Sequence, residues 1–134
     1  MNNRMNPTLP GLWLNGGGDT CAIFTRSDRI RTPSDIYLTL DERSDSINDG
    51  SFCVDMSNTG NGSGEGTSNP YWLIDYPADY HNGAGRFSFA DGHAEGQKWM
   101  ESTTLVPLGQ AHAMHTSSTD LDAQWIQNHC TYLK

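Results

Sequence analysis

The segment Tyr80-His81-Asn82-Gly83-Ala84-Gly85-Arg86-Phe87-Ser88-Phe89-Ala90-Asp91-Gly92-His93-Ala94-Glu95 constrains the fold more than any other part of the chain. Phe87 and Phe89 alternate with polar residues, the period of a strand that buries one face. Asp91-Gly92 is a turn pair, because glycine enters the left-handed region without a Cβ clash. A second strand then starts at His93 and runs to Trp99 or Met100. The pattern predicts a β-hairpin. Its polar members, His81, Asp91, His93 and Glu95, are types that bind metals or move protons.

The 134 residues make one domain, residues 1–134, by length. Apolar residues are 35% and glycines number 14, so loops and turns take a large share of the fold. Small loop-rich domains commonly need a disulfide or a metal as a staple. The net charge of −8 argues against nucleic acid, whose phosphates require a basic face, and against anionic membrane surfaces. It fits a cation-binding protein, though plain solubility requires no more. The three cysteines, Cys21, Cys53 and Cys130, are far apart and form no CxxC pair, so a zinc knuckle is not expected. One disulfide is possible in an oxidising compartment. Cys53 lies in an apolar run and reads as a buried small hydrophobe. No stretch reaches the roughly 18 apolar residues of a membrane helix. Met1 to Pro10 is polar rather than signal-like, so the chain is expected to be soluble without an export address.

Residues 1–31 read as an irregular N-terminal segment, in which Leu12 to Leu14 and Cys21 to Phe24 could form short edge strands. Asp35 to Asp41 alternates and predicts a strand. Ser51 to Met56 predicts another, antiparallel to the first, and Tyr71 to Ile74 a short third. Residues 57–69 are apolar-free and rich in Gly, Ser and Asn, which predicts a flexible loop. Residues 104–116 read as a long connection. Ser118-Thr119-Asp120 caps a final helix whose Leu121, Trp125, Ile126 and Cys130 share a face, with Asp120 and Asp122 in the first turn where the helix dipole favours them.

Two groups of residues have the composition of sites. The loop Asp41 to Asp49 holds Asp41, Glu42, Asp45 and Asp49 with the amide of Asn48. Carboxylates this close repel unless a cation or water screens them, and Ca²⁺ takes six to eight such oxygens. The loop lacks the EF-hand spacing. Its other reading is a solvated acidic loop with a turn at Asn48-Asp49-Gly50. Asp75 and Asp79 are close enough in sequence to the hairpin to join either group. At the hairpin itself, His81 and Asp91 could meet only if the hairpin folds back. Otherwise Asp91 makes an Asx turn over Gly92. His93 and Glu95 share a strand face, and with His81 could bind a transition metal or activate water. His112, His115 and His129 are scattered and read as surface or loop residues. No Gly-x-Ser-x-Gly elbow or phosphate loop is present.

His81, nine residues, then Asp91-Gly92 resembles the prepilin-type processing-associated domain defined by that spacing. Thr32 to Ile36, Leu40-Asp41-Glu42, Asp45 to Gly50, Asp75 to Ala78, Tyr80 to Gly83 and Phe87 to His93 recur in the order expected of its C-terminal half. The resemblance covers residues 30 to 130. It implies an α+β fold, a small loop-rich antiparallel sheet with a C-terminal helix. That is a pseudopilin-like globular domain, similar to the major pseudopilin of type II secretion. It implies a calcium ion pinning the loops and a cell-envelope, periplasmic or extracellular setting. The family's cleavage motif and hydrophobic N-terminal helix are absent from this sequence, as in a fragment or a soluble domain with another job.

Two functions follow as expectations. One is a soluble, acidic, pseudopilin-like calcium-binding domain related to secretion or pilus subunits, with Asp41, Glu42, Asp45, Asn48, Asp49, Asp75 and Asp79 as candidate ligands and pseudopilus subunits as partners. The other is a calcium-dependent hydrolase (an esterase or lactonase) on the same scaffold. In it His81, Asp91 and His93 would be catalytic, and the substrate a small neutral ester or lactone such as an acyl-homoserine lactone.

Overall fold

The alternation at residues 35–41 becomes β1, Tyr37–Leu40, in a computed structural model that describes residues 1–5, 21–56 and 71–132. β2 is Tyr71–Leu73, β3 is Ala84–Phe89, β4 is Ala94–Lys98 and β5 is Met114–Thr116. The helix α1 runs Leu121–Cys130. The chain is a small α+β domain: a three-stranded antiparallel sheet ordered β1-β3-β4, a two-stranded antiparallel pair β2-β5, and one C-terminal helix. None of the described helices is long and apolar enough to cross a membrane. The expected strand at Leu12 to Leu14 and the expected loop at 57–69 lie outside the described residues.

The hairpin forms where its pattern placed it. Phe87 and Phe89 are buried while Arg86 and Ser88 between and before them point outward. Gly92 sits at φ 97°, and its N–H donates to the Phe89 carbonyl, closing the turn. The second strand starts one residue later than expected, at Ala94, and stops at Lys98. β4 is an edge strand and is mostly exposed, with Glu95 and Lys98 on it. Charged side chains on an edge discourage pairing with another chain. Gly85 admits a close approach from behind: a Cβ there would lie 2.9 Å from the Ala78 carbonyl and 3.1 Å from the Trp99 ring.

Ser51 to Met56 does not pair with β1. Its residues make isolated bridges instead, Phe52 in parallel with Asn2 and Val54 antiparallel with Leu73. The reason is that β3 already occupies the β1 edge facing the hairpin. Asn2 also reaches across, its backbone N–H donating to the Leu38 carbonyl. Residues 104–116 are not wholly a connection either, since Met114–Thr116 adds β5 to β2.

The core gathers Tyr37, Phe52, Val54, Met56, Leu73, Tyr76, Phe87, Phe89, Trp99, Ile126 and two of the thiols, Cys21 and Cys130. Trp99 is fully buried, donates its indole N–H to the Ala78 carbonyl at 2.8 Å, and meets Phe87 edge-on. All three cysteines are buried thiols outside any disulfide. Burial pushes Cys53 and Cys130 up to about 12, so both stay protonated.

Asp120 caps α1 as its position predicts, accepting the Ala123 N–H at 2.9 Å. The buried face is not quite the expected one. Ala123, Ile126 and Cys130 are buried, Trp125 is partly so, and Leu121 is 56% exposed. Asp122 is buried beside them for a specific reason: its carboxylate accepts the Met100 and Glu101 N–H groups at 2.9–3.1 Å, tying the helix to the end of β4.

The N-terminal residues carry more of the fold than their polarity suggests. Asn2 is fully buried and donates its amide to the carbonyls of Tyr37 and Cys130, both at 2.8 Å. Its side-chain oxygen accepts from the Arg4 N–H and from the Cys130 thiol. One amide therefore clamps β1 to the C-terminal end of α1.

Candidate functional site

The acidic loop is organised by a cation of its own. Arg43 is 1% exposed, inserted under the loop. Its Nε and Nη2 donate to the two oxygens of Asp45 at 3.0 and 2.8 Å, a bidentate fork. Nη1 and Nη2 also donate to the carbonyls of Val106 and Pro107. The guanidinium faces the Tyr76 ring at 5.8 Å, and Asp79 lies 4.0 Å away. Asp45 accepts in addition from the N–H groups of Gly109 and Ala111. These bonds, the Arg43 fork foremost, hold its carboxyl down at about 2. Asp45 is thus saturated by donors and joins loop 41–50 to residues 106–111. As an ion ligand it would have to give up partners already in place.

Asp41 is similarly committed. Its Oδ1 accepts the Arg86 N–H at 2.6 Å, and its Oδ2 is 3.4 Å from Nε2 of His81. The loop thereby grips the start of β3. Asn48 lies on the exposed loop surface.

The remaining carboxylates form a different group. Glu42 bridges to Pro77, and the Arg43 N–H donates to the Tyr76 carbonyl, so the loop runs antiparallel to residues 76–77. This brings Glu42 beside Asp75, with Asp49 near both. Asp75 is 3% exposed, and one of its oxygens accepts the Cys53 N–H. Burial, opposed by that bond and reinforced by the charge of Asp49, pushes Asp75 up to about 6. Burial first and the Asp75 charge second push Glu42 up to about 7. Asp49 caps its own turn by accepting the Ser51 N–H at 2.6 Å. Ser46 stands between the segments, its hydroxyl accepting the Tyr76 N–H.

Of the seven candidate calcium ligands, Glu42, Asp49 and Asp75 are therefore close enough to influence each other. Asp41, Asp45 and Asp79 face His81 or Arg43. Among the described residues, no three His, Cys, Asp or Glu side chains form a preassembled metal cluster. The donors of this group are all oxygen and partly desolvated, and the N-terminal ammonium, itself bonded to the Gly50 carbonyl, is the cation that opposes the rise of both Glu42 and Asp75. Calcium completes such sets with carbonyls and water.

The hairpin residues are divided between two places. His81 N–H donates to the Ala84 carbonyl at the start of β3, and Phe89 N–H donates to the His93 carbonyl at its end. The six residues of β3 separate the two imidazoles. His81 pairs with Asp41 rather than Asp91. Asp91 makes the Asx turn, accepting the His93 N–H at 3.1 Å, and its carboxylate holds His93 Nδ1 at 2.6 Å. Those bonds to His93 hold Asp91 below the usual carboxylate range. His93 also stacks on Phe89 at 4.4 Å, with Glu95 at 3.9 Å. Its ring is anchored on three sides and frames the turn. His129, read as a surface residue, stacks on Trp125 at 4.2 Å and donates its Nδ1–H to the Trp125 carbonyl at 2.8 Å.

Sequence reasoning missed Arg43, the residue that decides which carboxylates stay available. The only signal was a lone arginine inside an acidic run, which reads equally well as a solvated charge. No family model matches the chain, and no curated protein or solved structure matches it.

Proposed function

We propose that the chain is a pseudopilin-like globular domain, related to subunits of type II secretion or pili, whose loop 41–50 is held against residues 75–77 by a calcium ion at Glu42 and Asp75. Asp49 and loop carbonyls are the supporting oxygens. The observation that carries the reading is the Glu42–Asp75 pair itself. Two carboxyls held near 7 and 6 are costly to ionise together at neutral pH. A divalent cation removes that cost, and the neighbouring arginine is fully occupied by Asp45 and two carbonyls. The motif order described above and the small antiparallel sheet with a C-terminal helix support the family part of the reading.

The test is a thermal melt at pH 7.5 in calcium, magnesium and chelator. Calcium at about 100 times its Kd contributes about 2.7 kcal/mol. That corresponds to a rise of roughly 8 °C in a chain of this size. An unchanged melting temperature in calcium sinks the proposal.

One observation favours a second reading, calcium-dependent hydrolysis of a small neutral ester or lactone. His81 is half exposed and oriented by Asp41, the arrangement of a general base. Turnover of an acyl-homoserine lactone that disappears with chelator and in His81→Ala would support it. Absence of turnover in the calcium-loaded chain refutes it.

A further inference from the structure

The chain concentrates positive charge in one place. Arg26, Arg29 and Arg31 are three of its eight Lys and Arg residues, set within six positions of an otherwise acidic sequence. A short 3-10 turn, Ser27–Arg29, folds them round the mouth of an open cleft of about 450 Å³, which is also lined by Phe24 and Tyr132. That volume lies within the range of ligand sites, about 300–1,000 Å³. The floor is aromatic: Phe24 and Tyr132 pack at 5.3 Å between ring centres. Arg31 lies over the Tyr132 ring at 5.1 Å, and the Tyr132 hydroxyl donates to the Arg29 carbonyl. The ring thus carries the Arg31 guanidinium on its face and anchors the backbone at Arg29.

Arg26 is already neutralised by the bidentate carboxylate of Asp28. For Arg29 and Arg31, no carboxylate among the described residues lies within ion-pair distance. Two guanidiniums beside an aromatic floor match a carboxylate next to an apolar side chain.

We propose that this cleft binds an acidic peptide segment of a partner protein, with carboxylates on Arg29 and Arg31 and an apolar side chain against Phe24 and Tyr132. The charge of −8 on the whole chain repels long polyanions, which leaves short, locally acidic ligands. The cleft is open rather than enclosed, so it suits an extended segment entering from solvent. The proposal does not depend on the calcium reading.

The experiment is fluorescence anisotropy with a labelled hexapeptide of alternating glutamate and phenylalanine, and with its lysine counterpart. Saturable binding of the acidic peptide alone is expected. Each exposed charge pair contributes at most about 1 kcal/mol, so Arg29→Glu combined with Arg31→Glu should weaken binding about tenfold or more. Both residues are exposed, and the melting temperature of the variant confirms that it is folded. In the unaltered chain, raising salt from about 50 to about 500 mM should weaken binding severalfold. Equal binding of both peptides, salt-independent binding, or no binding overturns the proposal. Displacement of the peptide by inorganic phosphate at equal concentration also overturns it, in favour of a bare anion site.

Discussion

Asp75→Asn isolates the charge that the proposed ion would neutralise. The substitution keeps the size of the side chain and an oxygen to accept the Cys53 N–H. It removes the negative charge that raises Glu42. The sign follows from linkage. Asp75 is raised from an ordinary value of 3.8 to about 6, so the folded chain holds its proton more tightly than the unfolded chain. The stability this contributes is fully present below the unfolded value and is lost as pH rises through the folded one. Glu42, raised from 4.5 to about 7, extends the loss to neutral pH. A shift of about two units at Asp75 corresponds to about 3 kcal/mol. The amide's own burial and the coupling to Glu42 reduce the net gain to about 1–2 kcal/mol. In chelator, Asp75→Asn should therefore melt about 3–6 °C above the parent chain at pH 8 and nearly with it at pH 4. Urea melts at the two pH values measure the same difference as free energy. A variant less stable than the parent at pH 8 in chelator would show that the carboxylate is satisfied as it stands, and would refute the reasoning.

Other consequences can be checked on the same material. Asp45→Ala leaves the Arg43 guanidinium buried without its fork, which should cost about 3–5 kcal/mol in a urea melt; a cost below 1 kcal/mol would place Arg43 in water. Asn2→Ala strips the Tyr37 and Cys130 carbonyls of their donor and should cost about 2–3 kcal/mol. Gly85→Ala drives a methyl against the Ala78 carbonyl and Trp99 and should cost about 1–3 kcal/mol, read as a lowered melting temperature. Cys21, Cys53 and Cys130 should resist a thiol reagent in the native chain and all react in denaturant; rapid native labelling at neutral pH would contradict their burial.

The hairpin and the capped helix were legible because local patterns decide them. Phe87 and Phe89 announce the buried face, Asp91-Gly92 the turn, and Asp120 the helix start. The pairing of Phe52 and Val54 was not legible, because strand partners are chosen by tertiary competition and β3 wins the β1 edge. β5 is three residues long, too short to show a period, and exists through its ladder to β2. Asn2 reads as a polar terminus until Tyr37 and Cys130 present their carbonyls to it. At the site, composition marked the acidic loop but not its division into two sets. Arg43 takes Asp45 and stands 4.0 Å from Asp79, the Arg86 N–H and His81 take Asp41, and the charge of Asp75 is left to act on Glu42. That division depends on which way residues 106–111 fold over the loop, and those residues carry no motif.

The central claim is that Glu42 and Asp75 jointly hold a calcium ion in place of the proton that their raised carboxyls retain near pH 6.5. Calorimetric titration of calcium at pH 6.5, repeated in buffers of different ionisation enthalpy, measures the protons released on binding. The account predicts one ion per chain with release of about one proton, and loss of both signals in Glu42→Gln combined with Asp75→Asn. Calcium binding without proton release, or binding that persists in that variant, would contradict it.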